Sequence, residues 1–181
     1  MVWAIIAVVV LVALYVVGTY NGLVKLRNKV EDSWAQIEVV LKRRADLIPN
    51  LIETVKGYTK HEEETFEKVV EARNRALNAT TKEDEMAAAG EVTQALSKLF
   101  ALTEAYPELK ANENFMDLQN NLRDTEDKLS FSRQFYNDSV LKYKDKIQMF
   151  PSNIVASLFG FKVMPFFEAS EEDRKVPQVK F

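Results

Sequence analysis

The chain has 181 residues, 24 basic and 27 acidic for a formal net charge of −3, with one histidine and no cysteine. That length leaves room for one tethering segment and one domain with a sizeable core, but not for a second core. The missing cysteines exclude disulfides and thiol chemistry and remove the commonest zinc ligand, and the well-mixed charges give no footprint for nucleic acid.

Five glycines and five prolines against abundant Ala, Leu, Glu and Lys favour helices over a turn-rich sheet protein. From Met1 to Val24 there is no charged side chain, and Val2 to Val17 is almost wholly apolar. A helix from Val2 to Tyr20 rises about 28 Å, close to the ~30 Å of a hydrocarbon core. Residues 1–20 are therefore expected to form a transmembrane anchor, with Val2, Ile5, Ile6, Val9, Leu11 and Leu14 facing lipid. Trp3, Tyr15 and Tyr20 sit where interfacial aromatics belong. No basic residues precede the apolar run and no small-x-small site follows it, so cleavage as a signal peptide is not expected. The first charges, Lys25, Arg27 and Lys29, all flank the C-terminal side, so the positive-inside bias puts the N-terminus outside and the remaining chain in the cytoplasm.

Beyond the anchor, Leu23, Leu26, Val30, Trp34, Ile37 and Leu41 recur at steps of three and four and share one helical face. Pro49 disfavours helix at Ile48 and removes a donor, so a break is expected here, with Asp46 capping a second helix that runs to about Leu77. A single helix kinked at Pro49 is the alternative, because the apolar spacing continues through Ile48, Leu51 or Ile52, Val55 and Tyr58. Thr81, followed by Glu83 and Asp84, is placed to cap a third helix with the stripe Val92, Leu96, Leu99. Its Ala87-Ala88-Ala89-Gly90 run would let a neighbour approach closely, and Tyr106-Pro107 ends it.

The fourth segment has the cleanest period: Phe115, Leu118, Leu122, Thr125, Leu129, Ser132, Tyr136, Val140, Tyr143, Ile147 and Phe150. Its Thr125, Ser132 and Tyr136 need partners if buried, and backbone carbonyls or one another are the expected ones. The fold expected is all-α: a transmembrane helix, an antiparallel four-helix bundle over 21–150, and an irregular aromatic tail over 151–181. In that tail Ile154, Leu158, Phe159, Phe161, Phe166, Phe167 and Phe181 form a candidate interaction surface, toward the bundle, another protomer or the bilayer. Four alternating helices return the tail to the membrane-proximal end.

Taken in order, Tyr20-Asn21-Gly22-Leu23, Trp34-Ala35-Gln36-Ile37, Arg43-Arg44-Ala45-Asp46-Leu47-Ile48-Pro49-Asn50, Val55-Lys56-Gly57-Tyr58, Glu71-Ala72-Arg73, Tyr106-Pro107-Glu108-Leu109 and Phe150-Pro151 resemble the LemA family over nearly the whole chain. The resemblance implies a bacterial single-pass membrane protein with a four-helix soluble domain. It makes Trp34, Arg43, Arg44, Asp46, Pro49 and Asn50 family-signature positions, read here as structural, and it implies no activity.

Chemistry is sparse. His61-Glu62-Glu63-Glu64-Thr65 lacks the second histidine of a helical zinc-protease motif, the glycines are isolated, and no Glu-x-x-His pair exists for a di-metal bundle. No catalytic residue, metal, cofactor, nucleic acid or small-molecule substrate is expected. The function expected is a non-enzymatic helical protein that self-associates or scaffolds other membrane proteins on the lipid bilayer of the bacterial cell membrane. The alternative is a histidine phosphotransfer module using His61, since such modules are four-helix bundles with one exposed histidine.

Overall fold

The computed structural model describes residues 1–59 and 62–167. The chain is all-α: among the described residues there are six helices and no strand, α1 Val2–Lys56, α2 Glu63–Asn78, α3 Lys82–Thr103, α4 Pro107–Lys110, α5 Glu113–Gln148 and α6 Ser152–Leu158. The described residues form two compact units, one of residues 1–36 and 132–166, the other of residues 37–131 with Phe167.

In the unit of residues 37–131, segments of α1, α2, α3, α4 and α5 pack around Ile48, Leu51, Ile52, Val55, Phe66, Val69, Val92, Leu96, Leu99, Leu109, Phe115 and Leu122. These are the apolar positions of the periodic stripes, and burying each side chain contributes roughly 1.5–3 kcal/mol relative to leaving it exposed. Adjacent segments run antiparallel. Along α1 and α2, Ala45 meets Arg73 while Lys56 lies over Phe66, so one number rises as the other falls.

The expected break at Pro49 is absent, and α1 passes through it. A proline in a helix leaves the carbonyl four residues back without its donor. Here that carbonyl is Ala45 O, and the Arg73 Nε–H of α2 donates to it at 2.8 Å. Asp46 is accordingly exposed in mid-helix and caps nothing. The chain leaves the helix only after Lys56, at Gly57-Tyr58, so the helical spacing taken to run unbroken to Leu77 is interrupted there.

Other boundaries follow local chemistry. The Thr81 hydroxyl oxygen accepts from Asp84 N–H at 3.1 Å, a side-chain cap for α3. Pro107 stands at the first turn of α4, where its missing donor costs little. Asn112 Oδ1 accepts from Phe115 N–H at 2.9 Å and starts α5, while its amide donates to Tyr58 Oη at 2.8 Å. Ala88 and Ala89 are buried as the small-residue run suggested, but Gly90 has open space where a Cβ would stand, so no neighbour uses it.

In the unit of residues 1–36 and 132–166, α1 and the second part of α5 pack antiparallel. Trp34 meets Tyr136 edge-on at 5.2 Å, Ser33 Oγ donates to Ser139 Oγ at 3.2 Å, and Arg27 lies near enough to act on the Tyr143 hydroxyl. Leu23, Val30, Tyr136, Val140 and Tyr143 are fully buried. Phe150, expected to end the α5 seam, is 79% exposed instead, because α5 stops at Gln148 and the chain turns.

Candidate functional site

Two places in the molecule concentrate chemistry or unusual surface, one in each unit, and they are taken separately.

The first is the apolar end of α1. An eighteen-residue window there has a mean hydropathy of 2.7 and is only 6% buried within the protein. Val2, Trp3, Ile5, Ile6, Val9, Leu11, Leu14 and Tyr15 are all exposed. A core helix would bury such a run, whereas this one is long and apolar enough to cross a membrane and covers none of it with protein. Contact with the rest of the unit starts at Thr19, which is buried.

Tyr20, the last of the aromatic positions assigned to the anchor, meets the tail. Its ring lies 4.9 Å from Phe159 and 5.7 Å from Phe161, and the Arg27 guanidinium lies over Phe161 at 5.6 Å. The segment expected to be irregular therefore begins as α6, and its end is built for the purpose. Gly160 adopts φ +71°, the left-handed conformation that disfavours side chains. Phe161 N–H then donates to Ala156 O at 2.9 Å and Gly160 N–H to Ser157 O at 3.3 Å, the paired bonds of a Schellman cap. At the other end the Ser152 hydroxyl reaches the carbonyls of Lys146 at 2.6 Å and Met149 at 2.9 Å, tying α6 to the close of α5.

Of the candidate interaction residues, Ile154, Leu158 and Phe159 are exposed, Phe161 and Phe166 are half-buried and Phe167 is buried. Phe166 lies beneath the Lys144 ammonium at 5.4 Å. Tyr136 holds the following turn by donating its hydroxyl to Pro165 O at 2.8 Å. Phe181 and His61 lie outside the described residues.

The second place is Arg44. It is 1% exposed, the largest fully buried side chain among the described residues. Its Nη1 donates to Glu126 Oε1 at 2.7 Å and Thr93 Oγ1 at 2.9 Å, and its Nη2 to Ala89 O at 3.0 Å. One guanidinium thus joins α1, α3 and α5. Arg43 points the other way, exposed, and bonds Asn121 Oδ1 at 3.4 Å. Of the remaining signature positions, Trp34 is buried, while Asp46, Pro49 and Asn50 are exposed.

A cavity of about 360 Å³ adjoins Arg44, lined among others by Glu38, Leu41, Ala45, Leu77 and Glu85. Burial raises the Glu85 carboxyl above its ordinary value, the nearby Glu38 adds to this, and Lys82 opposes it. Glu62 accepts from Tyr106 Oη at 3.0 Å, and that bond raises the tyrosine. Among the described residues no group of three His, Cys, Asp or Glu side chains is placed to hold a metal ion. Sequence reasoning missed Arg73 and Glu126 as partners because each acts on a residue far away in the chain. A hint lay in the proline itself, whose i−4 carbonyl must find a donor somewhere.

A family model described as the LemA family matches residues 33–181. The chain is 25% identical over 159 residues to Protein LemA of Metamycoplasma hominis, covering 87% of this chain and 73% of that one. It is also 24% identical over 174 residues to the magnetosome protein MamQ of Magnetospirillum gryphiswaldense, and 23% identical over 175 residues to MamQ 2 of Paramagnetospirillum magneticum. Each of these last two matches covers 82% of this chain but 64% of the relative, so the chain spans just under two thirds of their length.

Proposed function

The chain belongs to the LemA family, and from that membership we propose a non-enzymatic, membrane-anchored helical protein that self-associates or holds other proteins at the membrane. The observation that carries this reading is the bare apolar run of α1, 6% buried and continuous with a helix whose later turns pack into a bundle. Such a run is far more stable in lipid than in water, which supports anchoring of the chain at a bilayer.

Lys25, Arg27 and Lys29 support an orientation with the N-terminus outside and the bundle in the cytoplasm. The best-buried polar constellation supports a structural rather than catalytic use, because Arg44 is buried and three of its N–H donors go to Glu126, Thr93 and Ala89. In the unit of residues 37–131, Val39 at 70% and Phe131 at 73% exposure are large apolar side chains left for a protein partner or a second copy.

The test is the mass of the full chain in lipid nanodiscs across a dilution series. Oligomers that weaken in a Phe131→Asp variant are expected. A strictly monomeric protein that also captures no neighbour by crosslinking in cells overturns the reading.

A further inference from the structure

We propose that α6 and the basic residues around it form a second membrane contact, seated at the headgroup layer of an anionic bilayer beside the point where α1 enters it. The inference rests on the reading of residues 2–18 as a membrane span and adds to it a surface that the span alone does not require.

Three observations converge within the unit of residues 1–36 and 132–166. The first is position. Phe159 and Phe161 pack on Tyr20, one residue after burial of α1 begins at Thr19, so the end of α6 lies level with the end of the bare apolar run. The antiparallel pairing agrees, since α5 meets α1 at Tyr136 with Trp34 and then at Ser139 with Ser33, so one number rises as the other falls. Carried on to Gln148, that progression reaches the first turns after Tyr20.

The second is surface. α6 buries Ser152, Val155 and Ala156 and turns Ile154 and Leu158 outward at 59% and 73% exposure, with Met149, Phe150 and Phe159 exposed on either side of the helix. A short helix with one face packed and an apolar face outward, adjoining a membrane span, has the character of an interfacial helix, whose apolar face sinks about 5–10 Å into the headgroup boundary.

The third is charge. The chain as a whole is acidic, yet residues 21–30 and 141–166, which make up this end of the unit, hold seven basic residues and one acidic one. Lys25, Arg27, Lys146 and Lys162 are exposed. Each such cation near an anionic surface strengthens attachment, and long basic stems let the charge reach headgroups while their methylenes lie along apolar surface. Apolar side chains inside a basic ring suit an anionic lipid surface; a second copy of this chain would bring the same basic ring and repel it.

The absence of native cysteine makes the experiment direct. Ile154→Cys and Leu158→Cys, and as a control Lys98→Cys, at an exposed position of the other unit, are each labelled with an environment-sensitive fluorophore. The full chain is then placed in phosphatidylcholine vesicles with and without about 30 mol% phosphatidylglycerol. In the anionic vesicles the α6 labels are expected to emit at shorter wavelength than the control. Lipids spin-labelled near the glycerol should quench them about threefold more strongly. Emission and quenching equal to the control overturn the proposal. So does a blue shift that appears only at high protein-to-lipid ratio without lipid quenching, which would mark a second copy as the occupant. Carbonate extraction of the same vesicles separates the two readings: protein released by carbonate refutes the span, whereas retained protein with solvent-exposed α6 labels refutes only this contact.

Discussion

The guanidinium of Arg73 donates to the carbonyl that Pro49 leaves orphaned, Ala45 O, at 2.8 Å. An arginine on α2 thereby supplies the hydrogen bond that a proline on α1 cannot, and α1 continues past it. Arg73→Met should cost about 1–3 kcal/mol, the range for a lost bond to a charged donor with its acceptor left poorly served. In a Pro49→Ala background the new backbone N–H can bond Ala45 O itself, so the same Arg73→Met change should cost clearly less. A double-mutant cycle on urea unfolding of the full chain in detergent measures the difference. Equal costs in both backgrounds would show that Arg73 and Pro49 are not coupled.

Arg44 and Glu126 make the second such pair, with the arginine side chain 2% exposed and the glutamate 35%. Breaking a buried pair from one side strands the other charge, which costs about 3–5 kcal/mol when both are enclosed. The partial exposure of Glu126 lets water compensate, so Glu126→Ala should cost nearer ~1–3 kcal/mol. Glu126→Gln keeps an oxygen for Arg44 Nη1 and should lose about 1 kcal/mol or less. Arg44→Met should be the worst single change, because it removes a large buried side chain that bonds α3 and α5 and strands the Glu126 carboxylate, leaving Ala89 O and Thr93 only their bond to one another. Thermal unfolding of the three variants ranks them; an Arg44→Met protein as stable as wild type would contradict the role assigned to the guanidinium.

These two arginines show what the sequence could and could not convey. Periodicity placed Leu122, Thr125, Leu129, Tyr136, Val140 and Tyr143 on one face of α5, and all are buried, because a helix repeats a local rule every few residues. Thr125 finds the backbone carbonyl foreseen for it, Asn121 O at 2.7 Å, four residues away on its own helix. The continuity of α1 through Pro49 depends instead on Arg73, twenty-eight positions beyond the Ala45 carbonyl it serves, and no local pattern carries that. The α6 helix was hidden for a related reason: at seven residues it is too short for a period, and its clearest mark is Gly160, whose positive φ closes it. The lipid-facing end of α1 was legible from hydropathy alone, whereas the meeting of Tyr20 with Phe159 joins positions 139 residues apart.

Glu85 gives the protein a pH dependence of definite sign. Burial, with Glu38 adding to it, raises its carboxyl in the folded state, so between the ordinary carboxylate range and that raised value the folded chain binds more protons than the unfolded one. Stability must then fall as pH rises through that window, and the loss persists above it. Glu85→Gln removes the titration. The variant should match wild type in acid, where Glu85 is protonated, and exceed it at neutral pH. Unfolding midpoints of the two proteins from pH 4 to 7 test this, and the difference curve matters, because carboxyls such as Glu64, held down by Lys68, act in the opposite sense.

The tail is held through Tyr136, whose ring contributes packing and whose hydroxyl contributes a bond, and the two can be separated. The ring meets Trp34 edge-on at 5.2 Å, and the hydroxyl donates to Pro165 O at 2.8 Å. Tyr136→Phe keeps the first contact and removes the second, so it should cost only about 1 kcal/mol overall. The loss should be local: Pro165 is freed, Phe166 loses its place beneath Lys144, and amide exchange in residues 161–167 should quicken while that of α5 stays as it was. Tyr136→Leu removes the ring as well and should also redden the emission of Trp34, read in a Trp3→Phe background so that the anchor tryptophan is silent. Unchanged exchange in residues 161–167 of the phenylalanine variant would mean that the tail is fixed by its aromatic contacts with Tyr20 and not by the buried hydroxyl.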